Sequence, residues 1–163
     1  MTLTKEVELV QNAALGAVLE WKFCRGYSPE DGELRGVPVP LVFLVLPLCF
    51  TQQLRELVLS TREASGLRKF EEKLRDTGAD RVWAISDRAI AYRRLTARSL
   101  AVALVTKLLR LEAASGTAWV AQTANPKGVA TDVAPMLRVA ERFGAWCGAH
   151  PLEEVASILR VQF

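Results

Sequence analysis

Residues 37–50, VPVPLVFLVLPLCF, are fourteen consecutive apolar side chains without a single charge, and a run of that kind has to be taken out of water. A helix that crosses a bilayer needs about 20 such residues. The run is therefore too short for a membrane, and it reads as a buried core helix entered through proline-rich extended chain at Pro38 and Pro40. Just beyond it Leu54, Leu57 and Val58 recur at helical spacing, which predicts one helix over residues 41–59 bent at Pro47.

The rest of the composition fits a chain that can bury this run. Of 163 residues, 50% are apolar and 24% charged, which excludes a disordered, collagen-like or coiled-coil polypeptide and predicts one globular domain with a core large for its length. The net charge of +3 is too small to indicate a nucleic-acid partner by itself. Cys24, Cys49 and Cys147 are odd in number and each lies among apolar residues, as reduced, buried thiols do. The polar, acidic start MTLTKEVE has no basic stretch followed by an apolar one, so no export signal is read and a cytoplasmic location is expected.

Along the chain, Asn12 is placed to cap a helix that runs to Arg25 and closes at Gly26, with Leu15, Val18 and Leu19 inward. Residues 28–36, SPEDGELRG, are turn formers and charges and read as a loop. Leu67, Phe70 and Leu74 share one side of a short helix between Ser65 and Gly78. A second piece covers residues 81–93 with Ser86 as a cap, and Thr96 starts a helix in which Leu100, Leu104 and Leu108 repeat every fourth residue. Residues 109–114 and 117–122 are two short runs joined at Ser115 and Gly116, a β-hairpin pattern. Helix, helix, hairpin is the order of a winged helix-turn-helix. Residues 123–132 read as loop; Thr131 or Asp132 with Pro135 starts a helix ending at Gly148, and Pro151 opens a last one with Glu153 and Glu154 in its first turn. The fold class expected is mainly α with a small β-hairpin, a winged helix-turn-helix-like helical domain over residues 1–163, divisible into helices at 1–62 and a winged-helix-like part at 63–163.

Chemistry is sparse. His150 is the only histidine, it reads as a loop residue between two helices, and no metal-ligand partner is read beside it. No phosphate-binding glycine loop occurs, and the neighbouring pairs Glu71 and Glu72, Glu153 and Glu154 point to different helix faces, so they cannot share a proton. No catalytic, cofactor-binding or metal-binding set is expected. Trp21, Trp83, Trp119 and Trp146 read as core or subunit-interface residues before base-stacking ones. The one electrostatic feature is residues 81–110, with seven positive side chains against Asp87, a local +6. Arg88, Arg93, Arg94, Arg98, Lys107 and Arg110 are the candidate residues for binding a partner or nucleic acid. On the winged-helix reading Arg98, Ser99, Thr106, Lys107 and Arg110 form a polar stripe suited to phosphate contacts; the alternative is a solvated face balanced by an acidic partner surface.

Three stretches together resemble a family. QNAALGAVLEWKFCRGY at 11–27 followed by VPVPLVFLVLPL at 37–48, then DRAIAYRRLT at 87–96, then FGAW at 143–146 with LEEVASILRVQF at 152–163 look like the middle component of bacterial three-component ABC systems. Ala13 departs from the proline that usually follows the asparagine there, a small change at a helix start. The matching residues are packing residues, so the resemblance carries no catalytic site. It implies a non-enzymatic adaptor between an ABC or SMC-like ATPase and an effector in a prokaryotic antiphage defence system, working in a homo- or hetero-oligomer without cofactor or membrane. Two other readings stand beside it: a winged-helix DNA-binding regulator using the basic segment 81–110, and an enzyme, for which no constellation is visible.

Overall fold

The computed structural model describes residues 12–29, 32–78, 80–121 and 131–163, the first five of helix residues 80–84 by backbone alone. Helix α1 (Ala13–Tyr27) starts where expected: the Asn12 side chain accepts a hydrogen bond of 3.0 Å from the Leu15 amide, satisfying one of the free amides of the first turn. It does not close at Gly26. That glycine lies inside the helix because a second helix crosses there, so close that a Cβ on Gly26 would sit 2.1 Å from the Glu141 carbonyl oxygen.

The apolar run folds into three pieces rather than one bent helix. Val37–Pro38 is an edge strand, β1, where a proline without an amide is tolerated. Two short helices follow, α2 (Val39–Val42) and α3 (Val45–Phe50), and then α4 (Gln52–Ser60). Pro47 causes no bend, because it is the third residue of α3 and its missing amide belongs to a first turn that has no acceptor for it. The chain turns instead at Thr51, which is extended at φ −93°, and α2–α3 meet α4 at 98°. No single helix among the described residues is long and apolar enough to cross a membrane. Leu41, Val42, Leu44, Val45, Leu46, Leu48 and Cys49 are all fully buried in the protein.

Helix α5 (Gly66–Asp76) buries Leu67, Phe70 and Leu74 as its spacing requires. Helix α6 (Asp80–Val105) is the largest departure from the sequence reading: 26 residues in one piece, with Ser86 and Thr96 inside it and no turn between two shorter helices. No glycine or proline interrupts residues 80–105, and Ile85, Thr96, Ser99 and Ala103 fall on one buried stripe. The helix-turn-helix on which the winged-helix expectation rested is therefore not formed by residues 81–110. α6 ends in a Schellman motif: Leu108 N–H reaches Ala103 O at 2.9 Å, Lys107 N–H reaches Leu104 O at 3.2 Å, and Lys107 takes the left-handed φ of 59°.

The hairpin is present, with β2 (Leu109–Glu112) and β3 (Thr117–Val120) antiparallel and Arg110 opposite Trp119. It is longer by a strand than expected: β1 pairs with β3, so the sheet order is β1-β3-β2 and the start of the apolar run is tied to the hairpin. The loop expected at 123–130 lies outside the described residues; Thr131–Val133 is a turn of 3₁₀ helix leading into α7 (Ala134–Gly148), with Pro135 in its first turn. α8 (Leu152–Leu159) follows Pro151 and carries Glu153 and Glu154 in its first turn.

α1 lies between α6 and α7. Its contact with α7 is backbone to backbone, since a Cβ on Gly144 or on Gly148 would meet the carbonyl oxygen of Phe23 or Tyr27 at 2.2 Å. Its contact with α6 is nearly as close, with Gly16 against the buried Ser99 side chain. One cluster of buried apolar residues extends from Ala17 to Val161. Ring pairs mark its middle, Phe23 with Phe143 at 5.5 Å and Phe70 with Trp146 at 5.6 Å between centroids.

Candidate partner-binding surface

Since Ile85, Thr96, Ser99 and Ala103 turn inward, the opposite side of α6 is left exposed, without a neighbour among the described residues. Ile90, Arg94, Ala97, Ala101 and Val105 recur there at three- and four-residue spacing, which puts them in one row on a helix. All five are exposed, Ile90 by 68% and Val105 by 82%, although water is a poor environment for either. Arg93 and Arg98 flank the row. None of Arg93, Arg94 and Arg98 has an ion-pair partner among the described residues.

The six basic candidates therefore do not form one site. Arg93, Arg94 and Arg98 share the outer side of α6, while Arg88 lines the cleft formed with Leu54, Leu57 and Leu74. Lys107 and Arg110 lie past the end of the helix, both exposed. The polar stripe expected of Arg98, Ser99, Thr106, Lys107 and Arg110 is broken twice. Ser99 is in the core against Gly16, and the Thr106 hydroxyl donates back to the Val102 carbonyl at 2.7 Å.

The hairpin face is already occupied by its own contacts. The Arg110 guanidinium lies 4.9 Å over the Trp119 ring, a cation–π pair between opposite residues of β2 and β3. Trp119 Nε1 donates to Thr117 Oγ1 at 2.8 Å, and Gly36 is pressed against the ring so closely that a Cβ there would be 2.7 Å from it. Trp119 is thus a half-buried packing residue, while Trp21 and Trp146 are buried; the Trp83 side chain lies outside the described residues.

At the N-terminal half of α6 the exposed row borders an open apolar groove of about 350 Å³. Phe43, Leu44, Ile90, Val161 and Phe163 form its walls and Arg93 stands at its edge. Phe163 is 55% exposed. The surface thus combines a row of uncovered hydrocarbon, three uncompensated positive charges and a hollow able to take a bulky side chain.

Residues 1–163 match the family model described as ABC-three component (ABC-3C) system Middle Component 3. The chain belongs to this family. No curated protein and no solved structure matches it. A middle component has partners within its ABC-3C system, which is what an uncovered surface of this kind requires.

Two further polar sites of this middle component concern its stability and titration. His150 sits in the loop between α7 and α8 as expected, but Glu154, four residues on, does reach it. Glu154 Oε1 is 2.6 Å from Arg68 Nη2 and 3.2 Å from His150 Nδ1. The hydrogen bond from Arg68, then that with His150, holds the Glu154 carboxyl below the usual carboxylate range. No group of three or more metal-ligating side chains occurs among the described residues.

The second site escaped the sequence reading altogether. Glu20 is 0% exposed in the middle of α1, and neither carboxyl oxygen has a hydrogen-bond partner among the described residues. Burial pushes its pKa up to about 9. A signal for it was present: Glu20 stands four residues after Gly16 and four before Cys24, so it shares a stripe with two residues that a helix of this kind buries. The hydroxyls of Thr96 and Ser99 on α6 are likewise buried without partners. The three thiols are fully buried, and burial raises each of their pKa values, which disfavours the reactive thiolate.

Proposed function

We propose that this middle component is a non-enzymatic, cytoplasmic adaptor that links an ABC or SMC-like ATPase to an effector in a prokaryotic antiphage defence system. The observation that carries the reading is the outer side of α6, where Ile90 and Val105 are exposed beside arginines that lack counter-ions among the described residues. Most described apolar residues are gathered in one buried cluster, so a row left uncovered costs free energy that a partner surface recovers. Membership of the family supports the identity of the partners as the other proteins of the same system.

Mechanistically, α6 is suited to the task because it is long, continuous and packed on its inner side against α1, α3 and α5. A load applied to its outer side is passed to the core through the Gly16–Ser99 contact rather than absorbed by a flexible loop. The adaptor passes an ATP-driven change in the ATPase through this interface to release or activate the effector.

Co-expression with the ATPase and effector of its system, followed by size exclusion and native mass measurement with and without duplex DNA, tests the reading. One stable complex containing all three chains is the expected result. A protein that co-purifies with neither, and that alone retards duplex DNA at physiological salt, is a regulator instead.

A further inference from the structure

Resting on the adaptor reading, we infer that the outer side of α6 is the seat of an amphipathic, acidic helix belonging to a partner protein of the same system. That helix lies along Ile90, Ala97, Ala101 and Val105 and sets its carboxylates against Arg93, Arg94 and Arg98. Ile90 and Val105 are fifteen residues apart, or about 22 Å along a helix, so the occupant has about four turns. Between them Ala97 and Ala101 present only a Cβ each, which lets a second helix approach closely over that turn. At the Ile90 end the groove walled by Phe43, Leu44 and Phe163 receives one bulky apolar side chain from the partner.

The charge of the occupant follows from the arginines. Covering Ile90 and Val105 also desolvates Arg94, which lies in the same row, and Arg93 and Arg98 beside it. A guanidinium taken from water without an anion is strongly unfavourable. An occupant that covers the hydrocarbon has therefore to bring carboxylates, since α6 itself has only Asp80 and Asp87 against five arginines. A second copy of the chain does not fit, because pairing this surface with itself gathers the arginines of both copies and brings no carboxylate to them. The other described helices offer no set of free carboxylates: α5 carries Glu71, Glu72 and Asp76 but also Arg68, Lys69, Lys73 and Arg75, and of the two acids of α8 Glu154 is already held by Arg68 and His150, which leaves Glu153 alone. Nucleic acid would satisfy the arginines and leave Ile90 and Val105 against phosphate and water.

The full-length protein in its complex provides the test. Ala101→Cys labelled with benzophenone maleimide carries the probe at a single place, since Cys24, Cys49 and Cys147 are fully buried. Irradiation of the assembled complex is expected to crosslink one segment of the ATPase or effector that is helical and carries net negative charge. A crosslink to a basic segment, to this chain itself or to nucleic acid overturns the inference. Two variants on exposed positions probe the same surface by affinity: Arg94→Glu with Arg98→Glu, and Val105→Asp. Each is expected to weaken the complex at least ten-fold with unchanged thermal unfolding, while Arg68→Glu on α5 leaves it intact. Lysines in place of the crosslinked acids should restore binding to the double charge reversal. Wild-type affinity in both variants, with the complex still formed, overturns the docking surface and leaves the adaptor standing. A wild-type protein that forms no complex overturns the adaptor and the docking surface with it.

Discussion

A carboxyl group held at 0% exposure with neither oxygen hydrogen-bonded, as Glu20 is, can stay in an apolar core only as the neutral acid. Its pKa in the folded chain, about 9, lies above the value of 4.5 for an unburied glutamic acid. The folded state thus holds a proton that the unfolded chain releases, and stability falls as pH rises from about 4.5 toward 9, at roughly 1 kcal/mol per pH unit. Glu20→Gln keeps the shape of the neutral acid and does not titrate. It is expected to stabilise the protein at pH 7 by about 2–3 kcal/mol and to make almost no difference at pH 4.5. Urea unfolding of both proteins between pH 4.5 and 8 checks this, and a wild-type stability that stays level over that range contradicts it. Cys24 shares the same stripe; its thiol is raised first by burial and further by Glu20.

At the scale of the element, α6 is the informative case. A helix beginning at Thr96 would place Ala97 at its first position, where proline is well tolerated; in a helix running from Asp80 to Val105 the same residue is interior. Ala97→Pro is accordingly expected to cost about 3 kcal/mol or more, because it removes a backbone hydrogen bond and its ring meets the carbonyl four residues earlier. Circular dichroism and denaturant unfolding measure the loss. A variant of wild-type stability and helicity would mean that the helix is divided at Thr96 after all. The far end of α6 shows what stops it. No glycine is available at the turn, so Lys107 takes the left-handed conformation and the chain enters β2 directly.

For the whole molecule the controlling contact is the crossing of α1 and α7. The obstacle to a side chain at Gly144 is the Phe23 carbonyl, part of the backbone and unable to rotate away as a side chain would. Gly144→Ala should force the two helices apart and open the contact between Phe23 and Phe143. The expected destabilisation is about 3 kcal/mol, the size of other overpacked cores, even though alanine has the better helix propensity. A change in thermal unfolding toward higher temperature would show that propensity outweighs the crossing.

Much of this arrangement could be read from the sequence because it depends on local physical chemistry. Asn12 as a cap, Leu67, Phe70 and Leu74 on one side of α5, Pro135 and Pro151 at helix starts, and the hairpin about Ser115 and Gly116 each rest on spacing or on backbone preference within a few residues. The basic character of residues 81–110 was legible in the same way. The rest depended on which elements meet. Thr96 and Ser86 are good cap residues in isolation, yet Thr96 is needed on the buried stripe of α6, and burial of a whole helix side outweighs a single cap. Gly26 looks like a helix stop until α7 crosses it, and β1 becomes a strand only because β3 is beside it. Composition and periodicity by themselves determined that the chain is mainly helical, that the run at 37–50 is internal and that positive charge gathers on one segment. Tertiary packing alone decided that only Arg93, Arg94 and Arg98 share a surface with Ile90 and Val105, because it chose which stripe of α6 the core would cover.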